Sequence, residues 1–171
     1  GHLDYGENKV QEALEKWHEI KQNKKQIKLH LIGKLQTNKV KNALRIFDYI
    51  HSLDSKKLAN KISTVQKDLD VSTKLFIQVN IGKENQKSGI PEEELLDFYK
   101  YCKSIDLNII GLMCIPPLTD DSTNYFMRMK ELNKQVGLEQ LSMGMSADYL
   151  KAIENRSTYI RIGTEIFGQR G

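Results

Sequence analysis

Short β-rich runs alternate with stretches whose apolar residues recur at helical spacing, and this alternation constrains the fold more than any other feature. A strand ends in Tyr5-Gly6-Glu7-Asn8, and Val10, Ala13, Leu14 and Trp17 then mark a helix over 9–22. Strands follow at 29–32, 47–53, 74–80, 108–115, 141–146 and from 159. The helices between them are predicted over 37–46, through Leu58, Ala59 and Ile62, over 91–103, 122–136 and 147–154, with a polar loop at 82–89. Strand-helix repetition of this kind means a parallel sheet with helices outside it, because parallel strands need a long crossover. Two closures satisfy it: a doubly wound open sheet or a (β/α)8 barrel. The candidate polar groups Asn8, Gly33-Lys34, Asn80, Ser146, Arg161 and Thr164 come from the C-terminal ends of many strands, which suits the barrel. Such a barrel has eight strands and usually about 250 residues. This chain has 171 residues and seven strand candidates, so residues 1–171 are read as one α/β barrel domain with its first strand absent.

That length is enough for a real core, and the balance of 39% hydrophobic and 28% charged residues is that of an ordinary globular domain. No apolar run approaches a membrane span and no leader peptide opens the chain, so neither membrane nor secretory pathway is expected. Cys102 and Cys114 lack metal-ligand spacing, so no zinc site or disulfide framework is expected, and a reducing cytoplasm is the default. The net charge of +4 is scattered. The densest cluster, Lys21, Lys24, Lys25 and Lys28, has no interleaved aromatics and reads as a solvated helix end, so no nucleic-acid partner is expected.

The most informative stretch is Tyr159-Ile160-Arg161-Ile162, which stops at Gly163-Thr164. Alternation along a strand puts Tyr159 and Arg161 on one face. An inward guanidinium keeps its charge and needs an acceptor: a carboxylate, a backbone carbonyl, a phosphate or a heteroaromatic nitrogen. Gly163 lets backbone N–H groups approach an anion, and Thr164 adds a hydroxyl. Leu141-Ser142-Met143-Gly144-Met145-Ser146 has the same form, with Ser146 predicted to cap the following helix and turn its N-terminus toward an anion. Singly, each is strand-to-loop punctuation; together they predict a phosphate site.

Several motifs then occur in order: Tyr5-Gly6-Glu7-Asn8 with Val10-Gln11-Glu12, His30-Leu31-Ile32-Gly33-Lys34-Leu35-Gln36-Thr37-Asn38-Lys39, Asn80 with Lys87-Ser88-Gly89, Gly111-Leu112-Met113, Leu141 to Ser146, and Arg161-Ile162-Gly163-Thr164. This series resembles the YggS/PROSC family of pyridoxal 5'-phosphate (PLP) homeostasis proteins along the whole chain. The resemblance implies a barrel like the N-terminal domain of fold-type III alanine racemases. It implies that Ser146, Gly163 and Thr164 hold the cofactor phosphate, that Arg161 faces the pyridine nitrogen, and that Asn8 and Ile32 lie beside the ring. An arginine there keeps the nitrogen unprotonated and weakens the ring as an electron sink.

Family members carry their Schiff-base lysine on a first strand, in a Val-Ser-Lys motif upstream of the segment that opens this chain. Val71-Ser72-Thr73-Lys74 precedes a different strand and is not that motif; Lys34 is the one stand-in considered, and its plainer reading is a solvent-facing loop lysine. No catalytic residue and no metal ligand is therefore expected, with PLP bound non-covalently or absent. The expected function is cofactor storage and delivery, with PLP-dependent apo-enzymes as receivers. The alternatives are an amino-acid racemase, which would need the lysine and a second domain, and a barrel that simply binds phosphate. With one stave absent, the edges predict an opened barrel or one whose gap a neighbouring chain covers by self-association.

Overall fold

The computed structural model describes residues 1–84, 86–118 and 121–168. Seven strands run in chain order and pair in that same order, all parallel: β1 (Asp4–Glu7), β2 (Lys28–Leu31), β3 (Tyr49–Leu53), β4 (Lys74–Gln78), β5 (Ile109–Met113), β6 (Gln140–Met145) and β7 (Tyr159–Arg161). Between them lie α1 (Val10–Asn23), α2 (Val40–Ile46), α3 (Lys56–Leu69), α4 (Leu95–Ser104), α5 (Thr123–Gln135) and α6 (Tyr149–Glu154), and a single turn, α7 (Thr164–Phe167), follows β7. Of the predicted polar loop at 82–89, Asn85 lies outside the described residues.

Period-two alternation sorts the strand residues onto two faces. Leu29, Leu31, Ile50, Leu75, Ile77, Leu112 and Leu141 point outward and pack with helix residues such as Ala13, Trp17, Leu58, Ile62, Phe98 and Met129 in the main core. Tyr49, Phe76 and Met113 point inward and form a second cluster with Ile110 and Tyr159. The sheet curls far enough for β7 to face β2, β3 and β4 across the interior. The Tyr159 ring centroid lies 5.6 Å from His30, 5.8 Å from Tyr49 and 5.4 Å from Phe76. This is a nearly closed barrel, with β1 and β7 unpaired to one another among the described residues.

Local rules account for the helices. In α3, Leu58, Ala59, Ile62 and Val65 form the buried stripe, the Ser55 hydroxyl accepts from the Leu58 N–H at 3.3 Å, and Asp70 ends the helix in the left-handed region (φ 52°). Lys21 is not part of a solvated cluster. It donates to Asp48 at 2.6 Å and to the Ile46 carbonyl at 2.7 Å, tying α1 to the turn between α2 and β3.

Gly33 fixes the end of β2 against the end of β1. A Cβ there would lie 2.1 Å from the Asn8 carbonyl oxygen, so any side chain must push two strand ends apart. Gly33→Ala is expected to lose about 1–3 kcal/mol of stability, the usual cost of overpacking, read as a lower urea midpoint. An unchanged midpoint would show that the Asn8 turn moves freely.

Candidate functional site

Because every strand is parallel, their C-terminal ends share one rim of the barrel, and the residues singled out from sequence lie on it. On the β1–β2 side, Glu7 is held by Trp17 Nε1–H at 2.7 Å and by Lys16 at 2.8 Å, which sets the chain direction into Asn8. Asn8 itself is exposed. Ile32 is half-buried, with its side chain against Gly6, and the Ile32 N–H donates to the Glu7 carbonyl at 3.0 Å.

On the β6–β7 side, the Ser146 hydroxyl accepts from the Gly163 N–H at 3.4 Å. Ser146 does not cap a helix as predicted. α6 begins later, at Tyr149, and the Asp148 carboxylate takes the Met145 N–H at 2.7 Å, so the acid and not the serine closes that turn. Freed from capping, Ser146 reaches across to β7. Among the described residues, chain neighbours apart, no atom lies within 4 Å of where a Gly163 side chain would begin, so the backbone there faces open space, and Thr164 beside it is exposed. Lys34 is exposed near Asp54, whose carboxyl is pushed up mainly by burial and drawn back by the Lys34 charge. Asn80 is spent within its own loop: its side chain donates to the Glu84 carbonyl at 2.9 Å and accepts from the Glu84 N–H at 3.3 Å.

Arg161 points into the barrel. Nη1 donates to the Ser142 carbonyl at 3.0 Å and the Ser142 hydroxyl at 2.8 Å, and Nη2 donates to the Cys114 carbonyl at 2.8 Å. Burial pulls the guanidinium pKa down from its ordinary value, partly offset by the Cys114 and Asp148 side chains. Among the described residues no ion pair includes Arg161, and its Nε–H has no protein partner. A half-buried cation of this kind fits an acceptor or anion arriving from the rim.

Below Arg161 lies a polar cluster that no sequence argument identified. His30, His51 and Ser142 are all buried, at 5%, 1% and 0% exposure. His51 Nδ1 is 2.8 Å from Ser142 Oγ, His51 Nε2 is 3.0 Å from His30 Nδ1, and His30 Nε2 is 3.0 Å from Asp4 Oδ1. The His30 ring stacks on Tyr49 at 4.2 Å and the His51 ring on Phe76 at 4.2 Å. In the sequence His30 stands between Leu29 and Leu31 on β2, and His51 between Ile50 and Ser52 on β3. Among the described residues no cluster of His, Cys, Asp or Glu could hold a metal, and no helix is long and apolar enough to cross a membrane.

The family model described as "Alanine racemase, N-terminal domain" matches residues 1–171. The pyridoxal phosphate homeostasis protein of Aquifex aeolicus (strain VF5) is 40% identical over 97% of this chain and 76% of its own length. That of Pasteurella multocida (strain Pm70) is 37% identical over 99% of this chain and 78% of its own. PipY of Synechococcus elongatus PCC7942, solved with PLP bound, superposes with a TM-score of 0.90 at 34% identity, covering 98% of this chain and 82% of PipY. The alanine racemase of Clostridium difficile 630 aligns over 99% of this chain with a TM-score of 0.77 and 14% identity, a likeness of fold alone. With a barrel of this topology, a shared rim and relatives this similar over nearly the whole chain, the protein belongs to the alanine racemase N-terminal domain family, among the pyridoxal phosphate homeostasis proteins.

Proposed function

We propose that this chain holds PLP at the C-terminal rim of its barrel and carries the cofactor without turning over a substrate. The observation that supports this most is Arg161: a half-buried guanidinium with no ion-pair partner among the described residues and its Nε–H unspent, next to the open backbone of Gly163. Ser146 Oγ, the Gly163 N–H and the Thr164 hydroxyl would hold the phosphate, Arg161 would donate to the pyridine nitrogen, and Asn8 and Ile32 would flank the ring. When bound, PLP supplies an aldehyde and an electron-withdrawing ring. A permanent cation donating to the ring nitrogen keeps that nitrogen unprotonated, which disfavours the carbanion chemistry a racemase needs. Receivers of the cofactor would be PLP-dependent apo-enzymes in the same reducing compartment, the cytoplasm.

Titration of the full chain with PLP, followed by cofactor absorbance, is expected to saturate. Ser146→Ala and Thr164→Val each remove a hydrogen bond to a charged group, worth about 1.5–3 kcal/mol, and are expected to weaken binding roughly 10- to 100-fold. Inorganic phosphate binding as tightly as PLP would replace this reading with a plain anion site. Borohydride trapping followed by intact mass is expected to show no pyridoxyl group on this chain; a single label mapped to Lys34 would overturn the non-covalent mode. Deuterium release from the α-carbon of alanine would overturn the non-enzymatic reading.

A further inference from the structure

We propose that Asp4, His30, His51 and Ser142 form a one-way hydrogen-bonded relay that positions Arg161 from the far side of the barrel. The inference rests on the reading above for what Arg161 meets, but the direction of the relay follows from the protein alone. A carboxylate only accepts, so His30 Nε2 must carry the hydrogen facing Asp4 across 3.0 Å. Neutral His30 then presents Nδ1 as an acceptor, so His51 Nε2 carries the hydrogen between the two rings. His51 Nδ1 is in turn an acceptor, and the Ser142 hydroxyl must donate to it. The lone pairs of Ser142 Oγ are left facing Arg161 Nη1–H, which donates at 2.8 Å. One carboxylate at the mouth of the barrel, with its side chain 60% exposed, thus sets every donor up to an arginine near the opposite rim.

Both imidazole rings are held in place by packing. Tyr49 stacks on His30, Phe76 stacks on His51, and Tyr159 lies edge-on to His51 at 5.9 Å. The charged groups around His30 are Asp4, Asp48 and Lys21; around His51 they are Arg161 and the titratable ring of His30. Reversing the relay would aim a lone pair of His30 Nε2 at the Asp4 carboxylate, or require His30 to gain a second proton inside the barrel. In the proposed direction, Ser142 Oγ is polarised as an acceptor by a chain that ends in a negative charge, which suits a half-buried guanidinium without an ion pair. The four residues are positioning residues: they act on a ligand only through Arg161.

Long-range ¹H–¹⁵N spectra of the ligand-free full chain at pH 7.5 read the tautomers directly. Both buried histidines are expected as the Nε2–H form. His51 as the Nδ1–H form, or either ring doubly protonated at that pH, would overturn the relay. In PLP titrations, Ser142→Ala is expected to weaken binding about tenfold, at the low end of what outer partners of a bound group contribute, and Ser142→Thr to restore most of it. Asp4→Ala tests the remote end, where exposure protects folding; it is expected to weaken PLP binding several-fold and to shift the His51 ring nitrogens. Unchanged affinity in both variants would overturn the relay while leaving the cofactor reading intact. A wild-type chain that fails to bind PLP but shows the expected tautomers, perturbed by Asp4→Ala, would support the relay and overturn the cofactor reading.

Discussion

Phe76→Ala is expected to be the most damaging single substitution in the barrel interior, at about 3–5 kcal/mol. Phe76 has no exposed surface and sits on β4 at the centre of the inner cluster, between Tyr49 and Met113. Its ring stacks on His51 at an interplanar angle of 17° and meets Tyr159 edge-on at 78°. Truncation removes the transfer energy of the ring and leaves a cavity between strands whose pairing prevents collapse. It also strips the apolar face from a buried imidazole. For a chain of this size the loss corresponds to a melting temperature lower by roughly 6–20 °C. Phe76→Leu, which keeps most of the volume, is expected to lose well under half as much. Urea unfolding followed by the fluorescence of Trp17, the single tryptophan, measures both. A loss below about 1 kcal/mol for the alanine variant would mean that the interior is not close-packed around this ring.

The parallel barrel was legible because its evidence is local. Period-two and helical spacing reside in windows of a few residues, and all seven predicted strands have counterparts in the sheet. The boundaries strayed where an apolar residue had another task. Phe47 was predicted to open β3, yet it ends α2 with its N–H donating to the Ala43 carbonyl, and its ring is buried in the outer core. Asn80 reads from sequence as the end of β4, but the strand ends at Gln78: Val79 still donates to the Met113 carbonyl at 2.8 Å yet turns to bridge Ile90, and the Asn80 side chain closes onto Glu84. At the candidate site, the inward direction of Arg161 followed from alternation with Ile160 and Ile162. Its acceptors did not: the Cys114 carbonyl is 47 positions away and meets the guanidinium only once β5, β6 and β7 lie side by side. Ser146 reads as a cap from sequence because capping propensity is local, whereas the competing acid, Asp148, wins only in the folded turn. The histidine relay was invisible for the same reason as the Cys114 contact, since His51 and Ser142 are 91 positions apart.

Stability is expected to fall as pH drops below about 6.5, and the two relay histidines supply the reason. Burial lowers the His30 pKa from its ordinary 6.5, only partly offset by the hydrogen bond and charge of Asp4. His51 is held well below 6.5 by burial first and then by the neighbouring His30 and Arg161. Well above 6.5 both rings are neutral in the folded and unfolded chains, and they contribute no pH dependence. Below it the unfolded chain takes up protons that the folded chain refuses, so protons favour unfolding until the depressed folded values are reached. Over that window each histidine can contribute a slope of up to about 1.4 kcal/mol per pH unit. Two such groups make the loss between pH 7.5 and 5 large relative to the margin of an ordinary domain. Urea midpoints at pH 7.5, 6.5, 5.5 and 5 measure it. His51→Phe keeps an aromatic ring stacked on Phe76 and removes one titrating group, so its stability curve should be flatter even if its stability at pH 7.5 is lower. A wild-type midpoint that does not move between pH 6.5 and 5 would mean that the rings protonate freely in the fold. A slope unchanged by His51→Phe would assign the effect to other groups.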